Sequence, residues 1–271
     1  MLKLDLKKLT CYPDNTEPFV KLDVRYLIPL FLLLLTNVAF AQQAKVAIII
    51  DDIGYRKTDN ASLNLPGAIT YAILPHTPFG KKLAEKANAK HKDVILHIPM
   101  EAENGKKLGP GALTVEMDEA SIRNSLADSL AEIPFAIGIN NHMGSKLTKL
   151  YSPMAWTMRF LKDNGLIFID SVTTENSKAR KLARHFGVPN LSRHLFLDNE
   201  LNQSYISGQF AQLINQAKKY KRVVAIAHPH PETMTALQYL IPQLAEHDIQ
   251  LVGISELLPQ LSANNKPVVS E

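Results

Sequence analysis

The stretch "VAIIIDDIGY" (residues 46–55) runs five consecutive apolar residues straight into two adjacent aspartates and then a glycine. Apolar residues at every position, rather than at alternate ones, mark a strand covered on both faces, the usual state of a parallel sheet. Similar short runs follow at "AITYAIL" (68–74), "DVILHI" (93–98), "FAIGIN" (135–140), "LIFID" (166–170), "HLFLD" (194–198), "RVVAIA" (222–227) and "IQLVGI" (249–254). Helix-period stretches lie between most of them, at 79–91, 117–133, 152–165, 176–187 and 206–221. Asp118 and Ser152, the latter followed by Pro153, are placed to start helices, and Gly165 and Gly187 to end them. Strands alternating with helices predict an α/β fold with a parallel sheet, and the number of units suits a (β/α) barrel, complete or one unit short.

The chain has 271 residues, 46% apolar and 21% charged, which is ordinary globular composition. Its N-terminus departs from this. Arg25 precedes the apolar run "YLIPLFLLLL" (26–35), and "AFA" (39–41) offers a small-x-small cleavage site. A basic residue, a short apolar core and such a site read as a signal peptide. A spanning helix needs about 20 apolar residues, about twice what this core offers. Residues 1–41 are therefore expected to be a signal peptide with an extended n-region. Residues 42–258 are expected to form a single domain, and residues 259–271 a C-terminal tail. The expected product is exported, to a periplasmic location, with no stable membrane span after signal removal.

Removing residues 1–41 takes away five basic and four acidic residues, so the formal charge falls from +4 to +3. That mild, scattered charge argues against a nucleic-acid partner. The one cysteine, Cys11, is in the removed part. Any metal must then be held by His, Asp, Glu or water. No strand–helix junction carries Gly-x-Gly-x-x-Gly, so a dinucleotide site is not supported.

Position is the informative feature of the polar residues. Asp51 and Asp52 end the first run, His97 the third, and Asp170 the fifth. His142 follows the fourth, and His228 and His230 follow "RVVAIA". The C-terminal ends of strands are where barrel enzymes build their sites. Several carboxylates and imidazoles buried together need a neutralising charge, and a divalent cation is the simplest one. A set of His and Asp without Cys suits catalytic zinc. Neighbouring strand residues face opposite sides, so Asp51 and Asp52 can share a site only if the strand bends at its end, helped by Gly54.

In order, "IIIDDIG", "LHIPME", "NNHMGS", "FIDS" and "AHPHP" resemble the divergent polysaccharide deacetylase family, a branch of the carbohydrate esterase four deacetylases. The resemblance covers roughly residues 44–258. It implies a distorted (β/α)7 barrel and zinc-type deacetylation of N-acetyl sugars, with a carbohydrate polymer or peptidoglycan fragment as partner. It gives Asp51 the role of general base, Asp52 and His97 those of metal ligands, and His228, in Ile226-Ala227-His228, that of general acid. Two residues are candidates for the third ligand. Glu101 occupies the position four residues after the first histidine ligand, and His142 is favoured because imidazole is the commonest ligand type. Asp170 is expected to orient a histidine or meet substrate, and His230 to lie at the rim. The family's base-tuning Arg-x-Pro-Tyr motif is absent, with "NHMG" near that point.

Three rival readings follow from the sequence. A site lacking its tuning motif suits a catalytically inactive glycan-binding or envelope partner protein. "INNHMG" and "AHPHP" faintly resemble elements of two-metal phosphoesterases, but "DDIG" lacks the histidine that class needs on its first strand. No Gly-x-Ser-x-Gly supports a serine hydrolase.

Overall fold

The computed structural model describes residues 43–258. The expected signal peptide, residues 1–41, and the C-terminal tail, residues 259–271, lie outside the described residues. Nine strands form: β1 Ala44–Ile53, β2 Thr70–Ile73, β3 Val94–Met100, β4 Gly138–Met143, β5 Ile167–Asp170, β6 Asn190–Ser192, β7 Leu195–Phe196, β8 Arg222–Ala227 and β9 Ile249–Leu251. Eight α-helices accompany them: α1 Gly80–Ala89, α2 Glu119–Glu132, α3 Tyr151–Asp163, α4 Ala179–Phe186, α5 Gln203–Tyr220, α6 Pro231–Leu240, α7 Gln243–Glu246 and α8 Ile254–Leu257. No helix among the described residues is long and apolar enough to cross a membrane.

The strands pair in the order β6-β5-β4-β3-β2-β1-β8-β7, every pair parallel, and β9 pairs with the start of β1. The sheet curls into a barrel left open between β6 and β7. Only Arg193 and His194 separate those two strands in sequence. Arg193 N–H donates to Asp170 O and His194 N–H to Val224 O, so the chain crosses from the β5 side to the β8 side within two residues. The expected (β/α) barrel is thus present, in distorted form.

Side-chain parity divides the core. On the outward face, Val46, Ile48 and Ile50 of β1, Leu96 and Ile98 of β3 and Phe168 of β5 join the large cluster shared with the helices. On the inward face, Ala47, Ile49, Ala72, Ile95, Ile167, Ile169, Val224 and Ile226 form a second cluster, with Val252, Ile254 and Leu257. Those last residues plug the N-terminal end: Ile254 N–H bonds the hydroxyl of Thr70, the first residue of β2, and Ser255 N–H bonds Asp93 before β3. Continuing the inward parity one step past the apolar layer gives Asp51, His97, Asn140, Ser171 and His228. Asp170 has the parity of Phe168 and belongs to the outward set.

Several boundaries differ from the sequence expectations. β3 extends two residues and β4 three beyond their apolar runs, so His97 and His142 lie within strands rather than at or beyond their ends. The extensions are held by ladder pairing of Pro99 with His142 and of Met100 with Met143, which periodicity cannot show. The run at 194–198 yields only Leu195–Phe196, while β6 forms without an apolar run because β5 offers it an edge. α3 starts at Tyr151, placing Ser152 and Pro153 inside its first turn, while Asp118 does cap α2 by accepting from Ser121 N at 2.8 Å.

β4 can lie against β5 because it begins with glycine. A Cβ on Gly138 would sit 2.6 Å from the Ile167 carbonyl oxygen. Gly138→Ala is expected to destabilise the fold by about 1–3 kcal/mol, read as a lower urea midpoint. An unchanged midpoint would show that the two strands separate without cost.

Candidate functional site

Three side chains from three strands meet at the C-terminal rim of the barrel. His142 Nδ1 lies 2.7 Å from Asp52 Oδ1, His97 Nε2 lies 3.0 Å from the same oxygen, and the two ring nitrogens are 3.2 Å apart. Ligand atoms of all three fall within 4.8 Å of one another, the one such group of three among the described residues. Asp52 Oδ1 is buried and has no hydrogen-bond partner, although two ring nitrogens stand within ion-pair distance. A carboxylate oxygen and two imidazole nitrogens converging without hydrogen-bond geometry fit a shared cation, and two His with one Asp is a donor set suited to catalytic zinc. The electrostatics agree. Burial opposes the charged form of Asp52, but the two histidines outweigh it and hold the carboxyl far below the usual carboxylate range.

Asp52 reaches the site by breaking parity. The β1–β2 register shifts between Ile50 and Ile53, and Asp52 takes φ +57, a left-handed conformation that non-glycine residues rarely adopt. Its carboxylate thereby turns toward the side that Asp51 already faces. His76 and Val172, past β2 and β5, and Met143, the last residue of β4, also have positive φ. Such strain persists only where the surroundings hold it, and it gathers at functional sites. At Val172 the holding group is visible: Arg193 donates from Nε to Ser171 O and from its guanidinium to Val172 O.

Asn140 joins the metal candidates to the base candidate. Its Oδ1 is 2.7 Å from His97 Nδ1, and its Nδ2 donates to Asp51 Oδ1 at 2.8 Å. An acceptor at Nδ1 fixes the proton there and leaves the Nε2 lone pair for a cation. Asp51 is 2% exposed and its Oδ2 lies 3.7 Å from His97 Nε2. Burial raises the Asp51 pKa, against the opposing pull of His97 and His228. Burial also works against protonated His97, but Asp51 and Asp52 raise its pKa overall.

His228 belongs to a separate dyad. Its Nδ1 is 3.0 Å from Asp198 Oδ1, and its backbone N–H donates to Asp198 Oδ2 at 2.7 Å, as does the Thr233 hydroxyl at 3.0 Å. Burial pushes the imidazole pKa down, but the Asp198 hydrogen bond and charge, aided by Asp51 and Asp52, raise it to about 9. The charged imidazole therefore prevails at neutral pH, with Nε2 left to donate. Asp198 and Asn140 are the residues that sequence reading missed: each is read from the sequence only as the last residue of an apolar run. "HLFLD", an aspartate ending an apolar run next to the "AIAH" strand, was the available signal.

The remaining candidates are placed as follows. Glu101 accepts from Val115 N–H and pairs with Lys146, outside the three-residue group. Asp170 accepts from Val172 N–H and the Ser177 hydroxyl, so both its oxygens serve the loop after β5, as its outward parity dictates. His230 precedes α6, with its ring centroid 6.2 Å from that of His228. His76 bonds Glu132 of α2. A cleft of about 230 Å³ opens over the site, and Asp52, Tyr55, Arg56, Asp59, His142, His228 and His230 are among the residues that line it.

The molecule is thus a parallel (β/α) barrel with a candidate cation site at its rim and a buried carboxylate and an Asp–His pair close by. Residues 48–258 match the family model of divergent polysaccharide deacetylases. The chain belongs to that family. It is 38% identical over 226 residues to the uncharacterized protein YibQ of Escherichia coli K12, covering 82% of this chain and 70% of that one. The fold matches an uncharacterized Agrobacterium tumefaciens C58 protein with a TM-score of 0.76 at 22% identity, over 81% of this chain and 91% of that one. It also matches the catalytic domain of a peptidoglycan N-acetylglucosamine deacetylase from Eubacterium rectale, with a TM-score of 0.52 at 13% identity, over 80% and 91% of the two chains.

Two outcomes follow from this geometry. Asp52→Ala, His97→Ala and His142→Ala are each expected to lose most bound zinc by elemental analysis, while Glu101→Ala keeps it; a full metal load in Asp52→Ala would refute the grouping. Asp198→Asn is expected to lower the His228 pKa from about 9 toward the ordinary imidazole range. An NMR titration of the ring C–H reads this directly, and an unmoved midpoint would show that Asp198 does not set it.

Proposed function

We propose that the protein is an exported, metal-dependent hydrolase that removes acetyl groups from N-acetylated sugars of an envelope glycan. The observation that carries this reading is the convergence of Asp52, His97 and His142 next to a buried carboxylate on one side and a charged imidazole on the other. Family membership supports the substrate class. The cation, zinc by its donor set, would be held by those three residues and supplies Lewis acidity toward water and the acyl oxygen.

The chain's own groups divide the proton work. Asp51, buried and held by Asn140, takes a proton from the attacking water. Its raised pKa favours return of that proton later in the cycle. Water oxygen adds to the amide carbon, the C–N bond breaks, and the electron pair leaves on nitrogen. His228 donates the proton that makes this nitrogen a neutral amine, and the second product is acetate. Asp198 keeps His228 in the tautomer and orientation for that donation. Asn140 serves both halves, holding His97 through Nδ1 and Asp51 through Oδ1.

Acetate release from N-acetylglucosamine oligomers or peptidoglycan fragments tests the reading. Asp51→Asn and His228→Ala are each expected to lower kcat by roughly 10²–10⁴-fold, the usual contribution of a general base or acid, without loss of zinc. The wild-type rate is expected to fall as pH rises through about 9, where His228 loses its proton. Absence of acetate release by zinc-loaded wild type on all such glycans would rule out the activity.

A further inference from the structure

A second concentration of charge lies on α4 and the residues that lead into it, "SKARKLARHF" (177–186). The apolar side chains Ala179, Leu182 and Ala183 are buried, so packing fixes which face of the helix turns outward. Arg180, Lys181, Arg184 and His185 are all exposed. Together with Ser177 they line a groove of about 610 Å³ that shares no residue with the cleft over the candidate site. No carboxylate among the described residues lines it. The Ser177 hydroxyl donates to Asp170 Oδ2 and accepts from Ala179 N–H, so the free side-chain donors of the groove belong to the basic residues.

These charges are unmet within the protein. On the two preceding helices, Arg123 of α2 pairs with Asp163 and Arg159 of α3 with Glu119. Among the described residues, no acidic side chain lies within ion-pair distance of Arg180, Lys181 or Arg184. Like charges four residues apart, as at Arg180 and Arg184, destabilise a helix. An anion from outside the chain turns that repulsion into a shared attraction. The groove's chemistry narrows which anion. A carboxylate brings one charge and two oxygens, which a single guanidinium satisfies. A phosphate monoester brings three acceptor oxygens and close to two charges at neutral pH. Two arginine forks about 6 Å apart along the helix axis, with a lysine beside them, match the second anion better than the first.

We infer that the α4 groove is a binding site for a phosphate monoester, held by Arg180 and Arg184 with Lys181 and His185 beside them. The carrier of the phosphate is either a small soluble molecule or a lipid headgroup. Because the groove and the rim cleft share no lining residue, an occupant on α4 leaves the candidate site open. The inference does not depend on the deacetylase reading.

Two arms test it on the zinc-loaded protein. In the first, inorganic phosphate is titrated while NMR follows the Nε–H signals of Arg180 and Arg184, which phosphate held at the rim leaves unmoved. In the second, the protein is sedimented with phosphatidylcholine vesicles containing phosphatidic acid, with pure phosphatidylcholine as the blank. Saturable shifts of both signals, or retention on the phosphatidic acid vesicles alone, are expected, and the arm that responds identifies the carrier. Arg180→Ala and Arg184→Ala each weaken the response about fivefold, the scale of one cation beside an anionic group. Arg184→Lys, which keeps the charge but loses the fork, weakens it about twofold. Zinc content is unchanged, and the melting temperature does not fall, since alanine suits a helix and removes the like-charge pair. If an alanine variant does melt lower, Arg184→Lys decides. No response in either arm would overturn the site. So would an equal loss in a Lys218→Ala/Lys219→Ala control on α5, or succinate shifting the two arginine signals at the same concentration as phosphate.

Discussion

Two adjacent residues of a strand face opposite sides, and the site of this protein depends on defeating that rule once. Inward parity carries Asp51 into the barrel mouth, and Asp52 by the same rule belongs among the helices. The shifted β1–β2 register and the left-handed backbone at Asp52 turn the second carboxylate back. Such a conformation costs on the order of 1–3 kcal/mol and persists when the surroundings over-determine it. Here His97 and His142, placed regularly by β3 and β4, are the surroundings. The strain and the geometry of the candidate metal site are therefore one feature.

The buried polar groups behind this bend form a connected set. Asp51, His97 and Asn140 are each at most 2% exposed. Asn140 satisfies one atom of each partner with the two ends of a single amide. A network of this kind is stable when its members are satisfied and costly when one is not. The unmet member is Asp52 Oδ1, which is where a cation would sit. Asp198, by contrast, is saturated by His228 and Thr233, so that pair is complete within the protein.

The missing Arg-x-Pro-Tyr motif has a structural counterpart. The group that touches Asp51 is a neutral amide from "INNHM", not a guanidinium. A neutral donor lowers a carboxyl pKa less than a charge does, and burial is left as the main influence on Asp51. Arg193 is present nearby but spends its donors on the carbonyls of Ser171 and Val172, holding the left-handed turn after β5.

The sequence by itself determined the alternation of buried strands and helices, hence the parallel barrel, because apolar periodicity and caps are local signals. It also determined that Asp51, Asp52, His97, His142 and His228 lie at one rim, since each stands at or just beyond an apolar run and parallel strands all end on the same side. The tertiary structure alone decided which of these share a point in space. Glu101 and Asp170 carry the same chemistry at the same rim, yet Lys146 claims the first and outward parity turns the second away. Asn140 and Asp198 gained their places through partners 43, 89 and 30 residues distant in sequence. No local pattern encodes such pairings, because they depend on strand register and on how far the sheet curls.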